Sequence, residues 1–253
     1  RDLNLENYNS SNLKLSFKKV SNDTYLKLFD QHITKSNLRP DNFDNLNSSL
    51  KLFLNHEDFN FESGFQSYED LQINSKSDRY QYNLPYYNFD RLISQNYFEG
   101  NINFSSDGNN YLSNTNELET NITNNVTYNS LDYISKLGIK NNYSISFKNL
   151  NSIGKKTSQY KSSPQVELAG LFNIDFSIPL EKKVENYDNL LTPKLSFRFN
   201  PSDMKDYSLS DNKINISNAF ALNRLGLSDT LETGKSITLG LDYKNEKKND
   251  LDQ

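Results

Sequence analysis

The sequence predicts an all-β chain: an antiparallel up-and-down transmembrane β-barrel, expected to be an incomplete portion of a larger barrel. Three observations predict it. Segment after segment alternates apolar with polar residues, which on a strand makes one apolar face and one wet face. The composition is polar yet aromatic, with 34% hydrophobic residues but 16 Tyr and 16 Phe, and a mean hydropathy of -0.81. Disordered chains are poor in aromatics, whereas a barrel reconciles the two because half of each strand is polar by design. About twelve alternating segments follow one another at the spacing of barrel strands with their turns and loops. A soluble β-sandwich, with the aromatic faces packed in its core, stays open as the alternative at this level.

Near the start of the chain, Leu13, Leu15 and Phe17 alternate with Lys14, Ser16 and Lys18. After Ser21-Asn22-Asp23, the run Thr24 to Phe29 is rich in strand formers and is apolar on both faces in places. Leu50, Leu52 and Leu54, a tight turn at Asn55-His56-Glu57-Asp58, and then Phe59, Phe61 and Phe65 read as a hairpin. Tyr80 to Leu84 alternates and is expected to stop at Pro85, which cannot donate to a ladder. Phe98, Gly100, Ile102 and Phe104 resume the pattern, and Ser105-Ser106-Asp107-Gly108-Asn109-Asn110 is a strong turn signal. Leu118, Thr120, Ile122, Val126 and Tyr128 share one parity, which shifts at Leu131 and Tyr133 and predicts a turn or bulge near Asn129-Ser130.

Leu137, Ile139, Tyr143, Ile145 and Phe147 make the next face, followed by a polar loop from Asn149 to Pro164. The longest clean run is Val166, Leu168, Gly170, Phe172, Ile174, Phe176, Ile178 and Leu180. It lacks the i, i+3, i+4 spacing of a helix. At ~3.3 Å per residue it can cross a ~25 Å apolar band with tilt to spare. Leu195, Phe197 and Phe199, then Ile237, Leu239, Leu241 and Tyr243, form two more strands, separated by a Gly- and Asp-punctuated loop over residues 223–234. With no repeat, no Pro-rich linker and no composition break, residues 1–253 read as a single β domain.

The bulk numbers exclude several classes. A net charge of -4, with both signs interspersed, gives no basic field for nucleic acid. The absence of Cys removes disulfides, thiolate metal sites and a Cys nucleophile from this chain. No apolar run reaches the roughly 18 residues of a membrane-spanning helix, which says nothing about spanning strands. Arg1 opens the chain and Asn245 to Asp250 runs on from the last strand, so a fragment is expected.

Few motifs carry chemistry. Gly234-Lys235-Ser236 ends like a phosphate loop, but Asp229 stands where the companion Gly belongs and a strand follows instead of a helix. His32 and His56 sit in polar connections and read as solvated residues. A barrel hydrolase would need a Ser beside one of them. Asp203, Asp206 and Asp211 share a loop without the Gly and terminal Glu of a calcium loop. No catalytic residue, cofactor or metal ligand is assigned. Glu167, Asp175, Lys194 and Arg198 lie on polar faces of alternating runs and would face the lumen of a barrel. There they would meet a charged passenger or plug, or simply water.

An ordered series over the last part of the chain resembles the LptD (OstA) family of LPS-assembly proteins. It comprises Thr192-Pro193-Lys194, Asn200-Pro201, Asn218-Ala219-Phe220, Asn223-Arg224-Leu225-Gly226, Asp229, Glu232, Gly234 and the strand Ile237 to Tyr243. Looser similarity extends to Thr24-Tyr25-Leu26-Lys27 and Tyr80 to Pro85. The resemblance implies part of a C-terminal outer-membrane barrel, without the N-terminal periplasmic domain and without both closing strands. It implies a transport role rather than an enzyme, delivering lipopolysaccharide to the outer leaflet. The partners it implies are an outer-membrane plug lipoprotein, periplasmic LPS-transport bridge proteins, lipopolysaccharide and membrane lipid. Another outer-membrane barrel, a porin or importer, and a surface-exposed β adhesin remain the alternatives.

Overall fold

The twelve strands of the computed structural model form one antiparallel sheet in the order β1-β2-β3-β4-β5-β6-β8-β9-β11-β10, with β7 on β8 and β12 on β11. The structure describes residues 1–29, 32, 42–73, 78–97, 99–184, 187–204 and 211–247. The strands are β1 (Ser10–Ser16), β2 (Asn45–Asn55), β3 (Phe59–Asp70), β4 (Tyr80–Tyr97), β5 (Gly100–Ser113), β6 (Glu117–Ser130), β7 (Tyr133–Ile134), β8 (Lys140–Lys155), β9 (Gln165–Ser177), β10 (Leu180–Val184), β11 (Tyr187–Asn200) and β12 (Gly234–Lys247). Among the described residues a short helix, α1 (Tyr25–Leu28), lies between β1 and β2. Among the described residues no strand joins the two ends of this order, so the sheet is open. Neighbouring strands are mostly consecutive in sequence, the up-and-down connection expected from the alternation.

The chain divides into two compact units, residues 1–91, 105–124 and 150–166 in one, and 92–104, 125–149 and 167–253 in the other. In the first, register places like residues side by side. Leu15 faces Leu50, Leu50 faces Phe65, Leu54 faces Phe61, and Phe61 faces Phe89. This apolar face is open: Leu15 is 75% exposed. The opposite face holds Lys51, Glu62 and Tyr86, and Tyr86 is only 5% exposed. Its hydroxyl donates to Glu62 Oε1 at 2.7 Å, and Lys51 Nζ lies 3.7 Å from the same oxygen. Burial is therefore inverted, with polar groups inside and apolar ones outside.

An apolar cluster of ordinary polarity forms at one end of these strands, where buried Leu26, Leu46 and Leu71 pack with Val20 and Phe43. Leu26 arrives on α1, which corrects the strand expected over Thr24–Phe29. Apolar residues at 25, 26, 28 and 29 suit one helical turn, closed by Leu28 N–H to Thr24 O at 2.9 Å and Phe29 N–H to Tyr25 O at 3.0 Å. An ionic clasp holds this segment. Arg79 donates to both carboxylate oxygens of Asp23 (2.8 and 2.5 Å) and to Glu69 (2.9 Å), while Lys19 reaches Glu69 at 3.2 Å. Lys27 pairs with Asp44 at 2.6 Å.

Four other expectations are corrected. β4 runs through Pro85, because Leu84 and Pro85 together oppose the single residue Phe65 where the register shifts between Gly64 and Gln66. A bulge is where a residue without an N–H is tolerated. Ser105–Asn110, expected as a turn, lies inside β5. Its polar side chains bond across strands rather than to their own backbone. Ser106 Oγ donates to Asn124 Oδ1 at 2.8 Å, and Asn83 Nδ2 to Asn109 Oδ1 at 3.0 Å. The loop expected from Asn149 starts only after Lys155, since Leu150 and Ser152 are buried within β8. The run to Leu180 breaks after Ser177, and Leu180 opens β10. The hairpin of β2 and β3 and the strand end at Ser130 stand as expected.

Candidate functional site

In the second unit, β11 lies between β9 and β12. Period-two alternation puts Lys194, Ser196, Arg198 and Asn200 on one face. Register adds their neighbours. Ser196 stands between Asp175 and Thr238, Arg198 between Asn173 and Ser236, and Lys194 between Ser177 and Gly240. This face is covered by its own chain. Arg198 is 4% exposed and Asn200 is fully buried. On the opposite face Leu239 is 79% exposed. It stands beside Leu195, which in turn stands beside Phe176.

The cover is a strap formed by residues 211–233. Local turn chemistry shapes it. Asn215 accepts from the N–H groups of Asn218 (3.2 Å) and Ala219 (2.9 Å), and its side chain caps Ser217 N–H at 2.9 Å. Gly226 sits at φ +63, where a glycine is favoured. The strap is fastened by Arg224, whose Nε donates to Glu232 Oε2 at 2.8 Å while Nη2 binds Glu232 Oε1. Arg224 is buried and Glu232 half-buried, and bidentate, charge-assisted pairs of this kind are among the stronger protein hydrogen bonds. Arg224 also reaches Ser236 Oγ at 3.0 Å, tying the strap to β12.

Three more side chains of the sheet, Arg198, Lys148 and Asn200, hold the strap. Arg198 Nε lies 3.8 Å from Glu232 Oε2, and its Nη1 donates to Leu222 O. Lys148 of β8 donates to Ser228 O at 2.6 Å, and Asn200 Nδ2 to Glu232 O at 3.0 Å. The Phe220 ring rests where a Cβ on Gly240 would stand, 2.7 Å away, with Lys194 Nζ 5.8 Å from the ring centroid.

Of the four residues expected on polar faces, Lys194, Arg198 and Asp175 come together on this one. Lys194 pairs with Asp242. Asp175 Oδ2 accepts from Asn173 Nδ2 at 2.7 Å, and Asn173 Oδ1 accepts from Ser196 Oγ at 3.1 Å. Glu167 shares the parity of Asp175 but lies near the other end of β9, where its carbonyl accepts from Asn149 at 3.2 Å. Glu167 Oε2 and Asp175 Oδ1 are buried with no hydrogen-bond partner among the described residues.

Sequence reasoning missed Lys148 and the Arg224–Glu232 fastening. Both strap residues stand in the series that carries the family resemblance, but no spacing rule pairs residues across a loop.

Elsewhere, His56 stacks on Phe59 (4.9 Å) and its Nδ1 accepts from Asp58 N–H at 3.1 Å, a turn role. His32 is exposed. Among the described residues no group of three His, Asp or Glu side chains is placed to hold a metal ion, and no helix is long and apolar enough to cross a membrane. Phe98 and Asp206 lie outside the described residues. What the polar face offers chemically is hydrogen bonds and ionic contacts.

Comparison with known proteins completes the description. No curated protein matches the chain. The family model described as "LptD: LPS transport system D" matches residues 4–250. That match covers nearly the whole sequence, and the chain belongs to the LptD family of LPS transport.

Proposed function

We propose that this chain is part of an outer-membrane β-barrel that delivers lipopolysaccharide to the outer leaflet of a Gram-negative bacterium. The observation that carries the reading is the inversion of burial along single strands, as on β11, where Phe199 is open and its neighbour Arg198 enclosed. A strand between lipid and a hydrated interior needs that arrangement, and the LptD match supplies the cargo class. Closed barrels satisfy every backbone group between strands, which is what lets strands cross hydrocarbon.

In this reading the residues 1–253 are one portion of the barrel domain. Glu167, Asp175, Lys194 and Arg198 face the lumen and give the saccharide, or a plug lipoprotein, a polar surface. The acyl chains stay in an apolar environment. Periplasmic bridge proteins of LPS transport deliver the cargo. The role is transport and assembly, without bond-changing chemistry.

The test is depletion of the intact protein in cells with labelling of newly made lipopolysaccharide. The expected result is loss of new lipopolysaccharide at the surface and its accumulation at the inner membrane. Unchanged surface labelling overturns the reading.

A further inference from the structure

We infer that the hairpin joining β6 to β8, residues 131–139, is an anchor that lies in the headgroup region of the bilayer. The inference rests on the membrane reading above and assigns this hairpin a binding surface for lipid.

The hairpin is apolar where a water-exposed connection has no reason to be. Leu131, Tyr133, Ile134 and Leu137 are exposed, Leu137 at 84%. The turn of β2 and β3 is His56-Glu57-Asp58, and that of β5 and β6 is Asn114-Thr115-Asn116, both polar. Tyr133 and Ile134 are successive strand residues, so their side chains point to opposite faces. A ribbon that is apolar on both faces fits neither a water-filled interior on one side nor solvent on the other. Immersion of the tip accounts for both faces at once.

Two features make immersion cheap. Backbone groups at both ends of the hairpin and across its turn are paired within the chain. Leu131 N–H donates to Glu99 O at 2.6 Å, Ser135 N–H to Ile139 O at 2.9 Å, Gly138 N–H to Ser135 O at 2.9 Å, and Ile139 N–H to Ser135 Oγ at 3.1 Å. Unpaired backbone groups are what bar irregular segments from lipid. The one carboxylate, Asp132, is held by Lys140 Nζ at 2.7 Å and Asn142 Nδ2 at 2.9 Å. That leaves Lys136 as a cation for lipid phosphate, in the manner of snorkelling lysines.

Position agrees. Tyr133 stands opposite Asn141, on the parity of Tyr143. Tyr143 and Tyr128 pack ring to ring at 5.6 Å at the base of the hairpin. Tyrosines gathered at a strand end are the usual furniture of a membrane interface.

The chain has no tryptophan, so one substitution gives one reporter. Tyr133→Trp and, separately, Leu239→Trp would be placed in the full chain and reconstituted into phosphatidylcholine vesicles brominated either near the headgroup or near the chain end. Expected is a blue-shifted Tyr133→Trp emission, quenched more by shallow than by deep bromines, with Leu239→Trp quenched more by the deep ones. If Leu239→Trp is quenched and Tyr133→Trp is not, the hairpin faces water or protein; the inference is then overturned and the membrane reading stands. If neither is quenched, the membrane reading falls and takes the inference with it.

Discussion

Glu232 is the residue on which the strap depends. Its carboxylate answers Arg224 in two hydrogen bonds and lies near Arg198 as well. Replacing it with the neutral isostere leaves both guanidinium groups enclosed without a counter-charge. Glu232→Gln is therefore expected to destabilise the second unit by about 3 kcal/mol, read as a lowered denaturant midpoint with the slope unchanged. A glycine gives a second test at this scale. A Cβ on Gly108 would collide with the Tyr87 ring, which supplies its three nearest atoms, whereas one on Gly100 would meet Asn129 O at 2.5 Å besides the Tyr128 ring at 2.6 Å. Gly108→Ala is expected to cost about 2 kcal/mol, and Tyr87→Ala in the same chain should remove most of that increment. The corresponding pair at Gly100 should stay destabilised, because a backbone oxygen cannot step aside. Non-additivity at Gly108 and additivity at Gly100 is the outcome to look for in the two cycles.

At the scale of elements, the segment carrying α1 is held by carboxylates. The Arg79 guanidinium beside Asp23, and the Lys27 ammonium beside Asp44, hold both acids below the usual carboxylate range. A group whose folded pKa lies below its unfolded value adds stability that is fully present above the unfolded value, about 3.9 for Asp. That contribution is lost as pH falls through the folded value. The segment is thus expected to stay docked at neutral pH and to loosen progressively below roughly pH 4. Limited proteolysis around Lys18–Phe29 across a pH series checks this. Asp23→Asn together with Asp44→Asn should loosen the segment at neutral pH and flatten the pH dependence. The strap over β11 and β12 is an element of another kind, a loop in which the Arg224–Glu232 ion pair, four polar side chains of the sheet and one aromatic ring do the work of a hydrophobic core.

At the scale of the molecule, each unit presents an exposed apolar face and an enclosed polar one on opposite sides of its sheet, Leu15 against Tyr86 in the first, Leu239 against Arg198 in the second. In a soluble sandwich the same alternation would bury the leucines. The contrast yields a prediction that only a bilayer can satisfy. Leu239→Arg is expected to cost about 3 kcal/mol when the protein is unfolded from vesicles, the depth-dependent penalty of a cation on a lipid-facing strand. In mixed aqueous and detergent conditions the penalty should shrink towards zero. An equal cost in both media would show that Leu239 packs against protein, and would count against the proposed function.

By itself the sequence determined the class of the fold, most of its strands, the β2–β3 hairpin and the family. Each of these is written in local, period-two alternation or in an ordered series of short motifs, signals that survive without knowing which strand pairs with which. The tertiary structure decided the rest. Pro85 continues a strand because its neighbour across the ladder, Phe65, is one residue where β4 has two. Ser105–Asn110 is strand rather than turn because Asn83 and Asn124 on adjacent strands take up its hydrogen bonds. Leu26 is helical because Leu46 and Leu71 wait to bury it. Arg224 and Glu232 are a fastening because the loop folds back onto β11. In every case the deciding energy is a contact between residues far apart in the chain, and alternation carries no record of distant partners.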